Sequence, residues 1–200
     1  TRAAVEQTSL AHRSVAVPGS NQRRLFQGGA PGGMRLKYRN FGNLDFQVSA
    51  LSFGCMRLPT IGDEYNDIDE PEATRMLHYA IDHGINYLDT AYPYHGGESE
   101  PFLGRALGSD YREKVRLATK LPCWLVTEHA DLDRFLNEQL LRLRTDQIDF
   151  YLFHALNRNR WRDMRELDAL TWAEKAVADG RIGHLGFSFH GSCDAFKDIV

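Results

Sequence analysis

From residue 48 onward, short β-rich runs and stretches with helical apolar spacing take turns along this chain, and that alternation restricts the fold more tightly than any other feature. Strands that alternate with helices pair in parallel, joined by right-handed crossovers that lay the helices on the sheet. The β-rich runs fall at Val48 to Cys55, Ile85 to Thr90, Val115 to Lys120, Ile148 to His154 and His184 to Ser188. Asp69 to His83 reads as a helix, with Pro71 suited to its first turn and Gly84 to its stop; Glu98 to Leu107 reads as a second, ended by Gly108. Asp131 to Leu143 places Leu132, Phe135, Leu136, Leu140 and Leu143 on one face. Arg165 to Ala178 repeats the pattern with Leu167, Leu170, Ala173 and Val177 before the stop at Asp179-Gly180, and Asp194 to Val200 opens a further helix. Ahead of these, Leu36 to Val48 carries β-favouring pieces around the turn signal Gly42-Asn43, which predicts a small hairpin.

Two parallel architectures compete, a doubly wound open sheet and a closed (β/α)8 barrel. An open dinucleotide-binding sheet advertises Gly-x-Gly-x-x-Gly after its first strand, and Phe53-Gly-Cys-Met-Arg-Leu-Pro59 offers nothing of the kind. A barrel gathers its functional groups at the carboxyl ends of several strands. Asp89, Lys120 and His154 close three separate β-rich runs, and Tyr94 follows Asp89 by five residues in the next loop. The α/β reading is therefore a TIM barrel. About five strand–helix units are present where a barrel has eight, so the chain is expected to be the amino-terminal part of a longer barrel, truncated at its carboxyl end.

The pattern Asp89-Thr-Ala-x-x-Tyr94, followed by Gly96, Gly97 and Ser99-Glu100, then Lys120 and His154, resembles the aldo/keto reductase family and its Asp-Tyr-Lys-His tetrad. Leu51-Ser-Phe-Gly-Cys-Met-Arg-Leu58 is similar to that family's first barrel strand. Gly180-Arg-Ile-Gly-His-Leu-Gly-Phe-Ser188 is similar to its segment of a basic residue and a strand ending in Gly-x-Ser. The likeness runs from about Met34 to Val200. It implies a barrel of aldo/keto reductase type and an oxidoreductase that reduces an aldehyde or ketone by hydride transfer from NADPH, with NADH as the alternative. It also implies Gly54, Asp89 and Ser188 beside the cofactor. Where many members follow that Ser with Asn, this chain has Phe189-His190. Together with Phe53 to Pro59, this variant looks more like the branch that carries a carboxyl-terminal iron–sulfur extension; a cluster would come only with such an extension, and no Cys-x-x-Cys occurs here.

The four polar residues suit that chemistry. A phenol can deliver a proton to a carbonyl oxygen as charge grows on it, but its ordinary pKa near 10 is a poor match to neutral pH. Lys120 beside Tyr94 would stabilise the phenolate, Asp89 would hold Lys120 charged, and His154 would hydrogen-bond the substrate oxygen. Tyr92 and Trp124 are the expected aromatic lining of the substrate pocket. The competing reading is a non-catalytic nucleotide-binding or interaction subunit that keeps the barrel.

Other partner classes fit poorly. With 24 Lys and Arg against 27 Asp and Glu, a net charge of -3 argues against nucleic acid. No apolar run approaches the roughly 20 residues that span a bilayer. Three scattered cysteines, Cys55, Cys123 and Cys193, show no metal-ligand clustering and suit a reduced, cytoplasmic setting. The arginines between Arg142 and Arg165 alternate with acids, a mixed-charge surface. His78 and His83 read as surface or packing residues, and His95 and His190 as solvated loop residues on the catalytic side. Residues 1–33, ending in Gln-Gly-Gly-Ala-Pro-Gly-Gly, read as a flexible leader, with the folded part from residue 34.

Overall fold

The structure is a computed structural model that describes residues 36–200, so the leader expected over residues 1–33 lies outside the described residues. The predicted hairpin is present. β1 (Tyr38–Asn40) pairs antiparallel with β2 (Gln47–Ser49), and Gly42 adopts φ 58° in the turn. The next β-rich run is divided differently from its prediction, because residues 48 and 49 belong to the hairpin and only β3 (Phe53–Gly54) joins the main sheet. Asn86 causes the break. Its Oδ1 accepts from the Ser49 N–H at 2.8 Å while Ser49 Oγ donates to the Leu51 carbonyl at 2.6 Å, turning the chain between the two strands.

α1 (Glu70–Asp82) starts where Asp69 accepts from the Glu72 N–H at 3.2 Å and stops before Gly84 at φ 101°. β4 (Tyr87–Asp89) leads to α2 (Ser99–Arg112), which Gly108 interrupts at φ 47°, at the predicted stop. β5 (Arg116–Leu121) is followed by α3 (His129–Leu143), opened by a capping box between Glu128 and Asp131. After β6 (Ile148–Leu156) the single helix expected over Arg165 to Ala178 is two, α4 (Arg158–Glu166) and α5 (Ala169–Ala178), divided by Asp168 at φ 53°. α4 escaped notice because it buries only Met164 and so carries no apolar stripe. β7 (Ile182–Phe189) and α6 (Cys193–Lys197) complete the described chain.

The five main strands are all parallel and lie in sequence order, β3-β4-β5-β6-β7. A doubly wound sheet reverses its strand order at a switch point, whereas a barrel advances one strand at a time, so these are consecutive units of a (β/α) barrel. At the amino ends of the strands, the hairpin's Phe41 and Phe46 meet Phe150 with ring centroids 5.2 and 5.8 Å apart, and Tyr87 lies 5.3 Å from Phe150. The polar side chains described below lie at the opposite, carboxyl end.

α2 and α3 cross at Gly104, where a Cβ would land on the Arg142 carbonyl oxygen and the Leu143 backbone. Neither obstacle is a side-chain tip that can swing away. Gly104→Ala is expected to destabilise the fold by about 1–3 kcal/mol, read from urea unfolding; an unchanged midpoint would show that the helices part freely.

Candidate active site

Side chains along a strand alternate between its faces, so pairing register decides which residues meet. Gly54 pairs with Asp89, Asp89 with Ala118, Lys120 with Leu152, and Leu152 with Gly186. Counting by twos puts Asp89, Lys120, His154 and Ser188 on one face at the carboxyl ends of β4, β5, β6 and β7. Tyr94 arrives from the loop in a 3-10 turn, Tyr94–Gly97, whose next three residues His95, Gly96 and Gly97 all have positive φ, 52°, 63° and 102°. His95 pins that turn. Its Nε2 accepts from the Leu58 N–H at 3.0 Å, which leaves Nδ1 protonated to donate to the Tyr65 carbonyl at 2.7 Å. This histidine is buried and serves the loop, so the solvated position expected for it is corrected: both ring nitrogens are already paired.

The Lys120 ammonium is 5% exposed and donates three hydrogen bonds, to Asp89 Oδ1 at 2.7 Å, to the Thr90 carbonyl at 2.6 Å and to the Tyr94 hydroxyl at 3.3 Å. Three N–H groups thus meet three acceptors, which is what a buried cation requires. His154 sets its ring edge-on to Tyr94, with centroids 6.2 Å apart and planes at 83°. Burial, with help from the charges of Lys120 and Arg160, pushes the imidazole down to about 4, so it is neutral near pH 7. Its Nδ1 is buried without a partner. An orphaned N–H costs more than an orphaned lone pair, which places the proton on Nε2.

Behind the strands lies a second polar layer. Thr119, on the face opposite Lys120, donates to Glu100 Oε1 at 2.6 Å. Gln139 of α3 donates from Nε2 to Glu100 and to the Lys120 carbonyl at 3.1 Å, and accepts from the Tyr151 hydroxyl at 2.7 Å. Arg142 lies 3.5 Å from the other Glu100 oxygen. Burial pushes the Glu100 carboxyl above the ordinary carboxylate range and the Tyr151 phenol well above its own. Sequence reasoning missed Gln139, although a signal existed. It shares the stripe of Leu132, Leu136 and Leu143, and a polar residue on an apolar stripe marks a buried polar contact.

The remaining candidates divide. Trp124 lies tilted beside His154, with centroids 5.1 Å apart and planes at 58°, and is 41% exposed. Tyr92 is not brought to the four: its hydroxyl donates to Glu138 at 3.2 Å, Arg142 covers its ring at 4.2 Å, and Phe135 meets its edge, so it lies against α3. Ser188 Oγ accepts from the Ala155 N–H at 2.7 Å, steadying a bulge where Ala155 takes φ 53°. A Cβ at Gly54 would meet nothing within 4 Å, leaving open space beside Asp89. Among the described residues, no group of three or more His, Cys, Asp or Glu is placed to hold a metal ion, and no helix is long and apolar enough to cross a membrane. The Cys123 thiol is pushed up to about 12 by burial, an inert position.

The family model described as the aldo/keto reductase family matches residues 50–198. A 6-dehydroglucose reductase from Novosphingobium aromaticivorans is 33% identical over 165 residues, covering 76% of this chain and 51% of that protein. A probable aldo-keto reductase 1 from Glycine max is 30% identical, covering 74% of this chain and 43% of the relative. Among solved structures, the holo form of an aldo-keto reductase from Bacillus halodurans superposes with a TM-score of 0.63 at 32% identity, over 77% of this chain and 50% of that one. An aldo/keto reductase from Klebsiella pneumoniae, solved with NADP and acetate, gives 0.62 at 27% identity over 76% and 49%. The chain spans about half the length of the curated relatives it matches.

Proposed function

This chain belongs to the aldo/keto reductase family, and we propose that it carries the proton-transfer half of a carbonyl reductase, with Tyr94 as the acid that protonates an aldehyde or ketone oxygen. The observation behind the proposal is the Lys120 ammonium, buried and shared between Asp89 and the Tyr94 hydroxyl. As Tyr94 gives up its proton, the ammonium 3.3 Å away stabilises the phenolate left behind, with nothing to reorganise. Asp89 holds the ammonium in place at 2.7 Å. His154, neutral with its proton on Nε2, donates a hydrogen bond to the carbonyl oxygen and fixes it for attack. In the reverse direction Tyr94 is the base.

A nicotinamide supplies the hydride when bound. The open space at Gly54 and the Ser188 hydroxyl, which has a proton to give because its oxygen already accepts from Ala155, lie on the face of Asp89 and suit such a ring and its amide. Following the NADP of the Klebsiella pneumoniae relative, we assign NADPH. Trp124 is the wall against which the substrate lies.

The test is carbonyl-dependent oxidation of NADPH, and of NADH beside it, by the full-length protein across pH. Because His154 stays neutral down to about 4, its imidazole adds no step to the rate between pH 5.5 and 8. Its stability linkage runs the same way. The unfolded imidazole takes up a proton near 6.5 and the folded one only near 4, so stability falls as pH drops through that interval. Tight nucleotide binding without turnover on any aldehyde or ketone would establish the non-catalytic reading. A rate step near pH 6.5 that vanishes in His154→Gln would overturn the role given to the neutral imidazole.

A further inference from the structure

Arg160 stands beside the proposed site without a carboxylate to pair with among the described residues. Of the arginines on the same helix, Arg158 reaches Asp198 and Arg162 reaches Asp163, while Arg165 lies over the Trp161 ring, away from the site. Arg160 instead donates from Nη1 to the carbonyl of Ala155, the residue after His154, at 2.7 Å, and its guanidinium lies 5.5 Å from the centre of the Trp124 ring. Trp124 in turn faces His154 at 5.1 Å. The cation is thus tethered at one nitrogen, supported on an aromatic face, and held on a first turn whose N–H groups Asn157 caps at 3.0 Å, with Arg160 its half-buried member. We propose that Arg160 receives a carboxylate on the substrate, so that this site acts on an aldehyde or ketone bearing a carboxylate a few bonds from its carbonyl carbon.

The inference deepens the reductase reading and rests on it. With the carbonyl oxygen at Tyr94 and His154, the substrate chain runs along Trp124, and its far end meets the guanidinium N–H groups not committed to Ala155. A planar fork matches a carboxylate in that position. The surrounding charge agrees. Asp89 is taken up by Lys120, and the Arg160 charge, which has no such partner, reaches both His154 and Cys123. A single guanidinium suits a monoanion better than a phosphate dianion, which draws several donors.

The experiment compares kcat/KM with NADPH for 4-carboxybenzaldehyde and for methyl 4-formylbenzoate, in the full-length protein. The two share a ring and a para acyl group and differ in charge. Wild type is expected to favour the acid roughly ten- to hundredfold, the value of a charge-assisted hydrogen bond. Arg160→Gln should bring the ratio to about one, and Arg160→Lys, which keeps the charge and loses the fork, should fall between. Both rates come from one preparation, so the ratio does not depend on how much of a variant folds. An ester reduced as well as the acid by wild type overturns the inference while leaving the reductase reading intact, and so does a ratio unchanged in Arg160→Gln. Weaker NADPH affinity in that variant, with the acid preference kept, would assign the guanidinium to the cofactor instead. Reduction of neither compound, nor of any other carbonyl, removes the reductase reading and this one with it.

Discussion

Tyr94→Phe in the full-length protein is expected to lower turnover by about 10²- to 10⁴-fold, the range a positioned general acid contributes, while NADPH affinity changes little. Phenylalanine keeps the ring, and with it the edge contact to His154 and the position under the Lys120 ammonium, 4.9 Å from the ring centre. What it removes is the one hydroxyl that can hand a proton to the carbonyl oxygen. Lys120 keeps its bonds to Asp89 and the Thr90 carbonyl, so the ion pair survives and the loss falls on chemistry alone. Steady-state rates and a nicotinamide fluorescence titration separate the two effects. Near-normal turnover would sink the assigned acid role, and a large loss of cofactor affinity would mean that the hydroxyl holds the nucleotide rather than the proton.

The second large effect is expected at Glu100, which touches no substrate. Glu100→Ala should cost about 2–5 kcal/mol of folding stability, because it leaves two buried neutral groups unsatisfied at roughly 1–3 kcal/mol each. It leaves Thr119 and Gln139 without their shared acceptor and Arg142 without one of its two carboxylates. Glu100→Gln keeps the volume and one carbonyl oxygen, and should cost much less. The pH dependence distinguishes the two causes. Burial raises the folded carboxyl above its ordinary value, so the folded state holds that proton more tightly, and the stability this confers at low pH is lost as pH rises through the raised value. Gln should flatten that slope. Urea unfolding of the wild type and both variants at pH 5 and 8 gives the comparison; a loss below 1 kcal/mol for Ala would mean that water fills the gap and satisfies the cluster.

Much of this architecture could be read from spacing alone. Helix starts and stops at Asp69, Gly84 and Gly108 lie where the residue types put them, because a cap or a left-handed turn is settled by atoms a few bonds away. The four polar residues were legible for a related reason. Each closes a β-rich run or follows one closely, and parallel strands bring their carboxyl ends together whatever the helices between them do. Local signals failed where the deciding partner was distant. Spacing from Asp89 singles out Tyr94, but nothing local says where Tyr92 goes: Glu138 and Arg142, more than forty residues on, draw it against α3. His95 carries no mark of burial in its neighbours; the backbone groups of Leu58 and Tyr65 confer it. α4 has almost no apolar face to announce it, and with it went Arg160.

The sequence by itself determined the alternation of strand and helix, and with it a barrel whose mouth collects a carboxylate, a phenol, an ammonium and an imidazole. Only the tertiary structure decided which side chains face that mouth and in what ionic state. Charge and hydrogen-bond satisfaction inside a protein depend on partners brought together by packing, and packing joins residues that no local pattern relates.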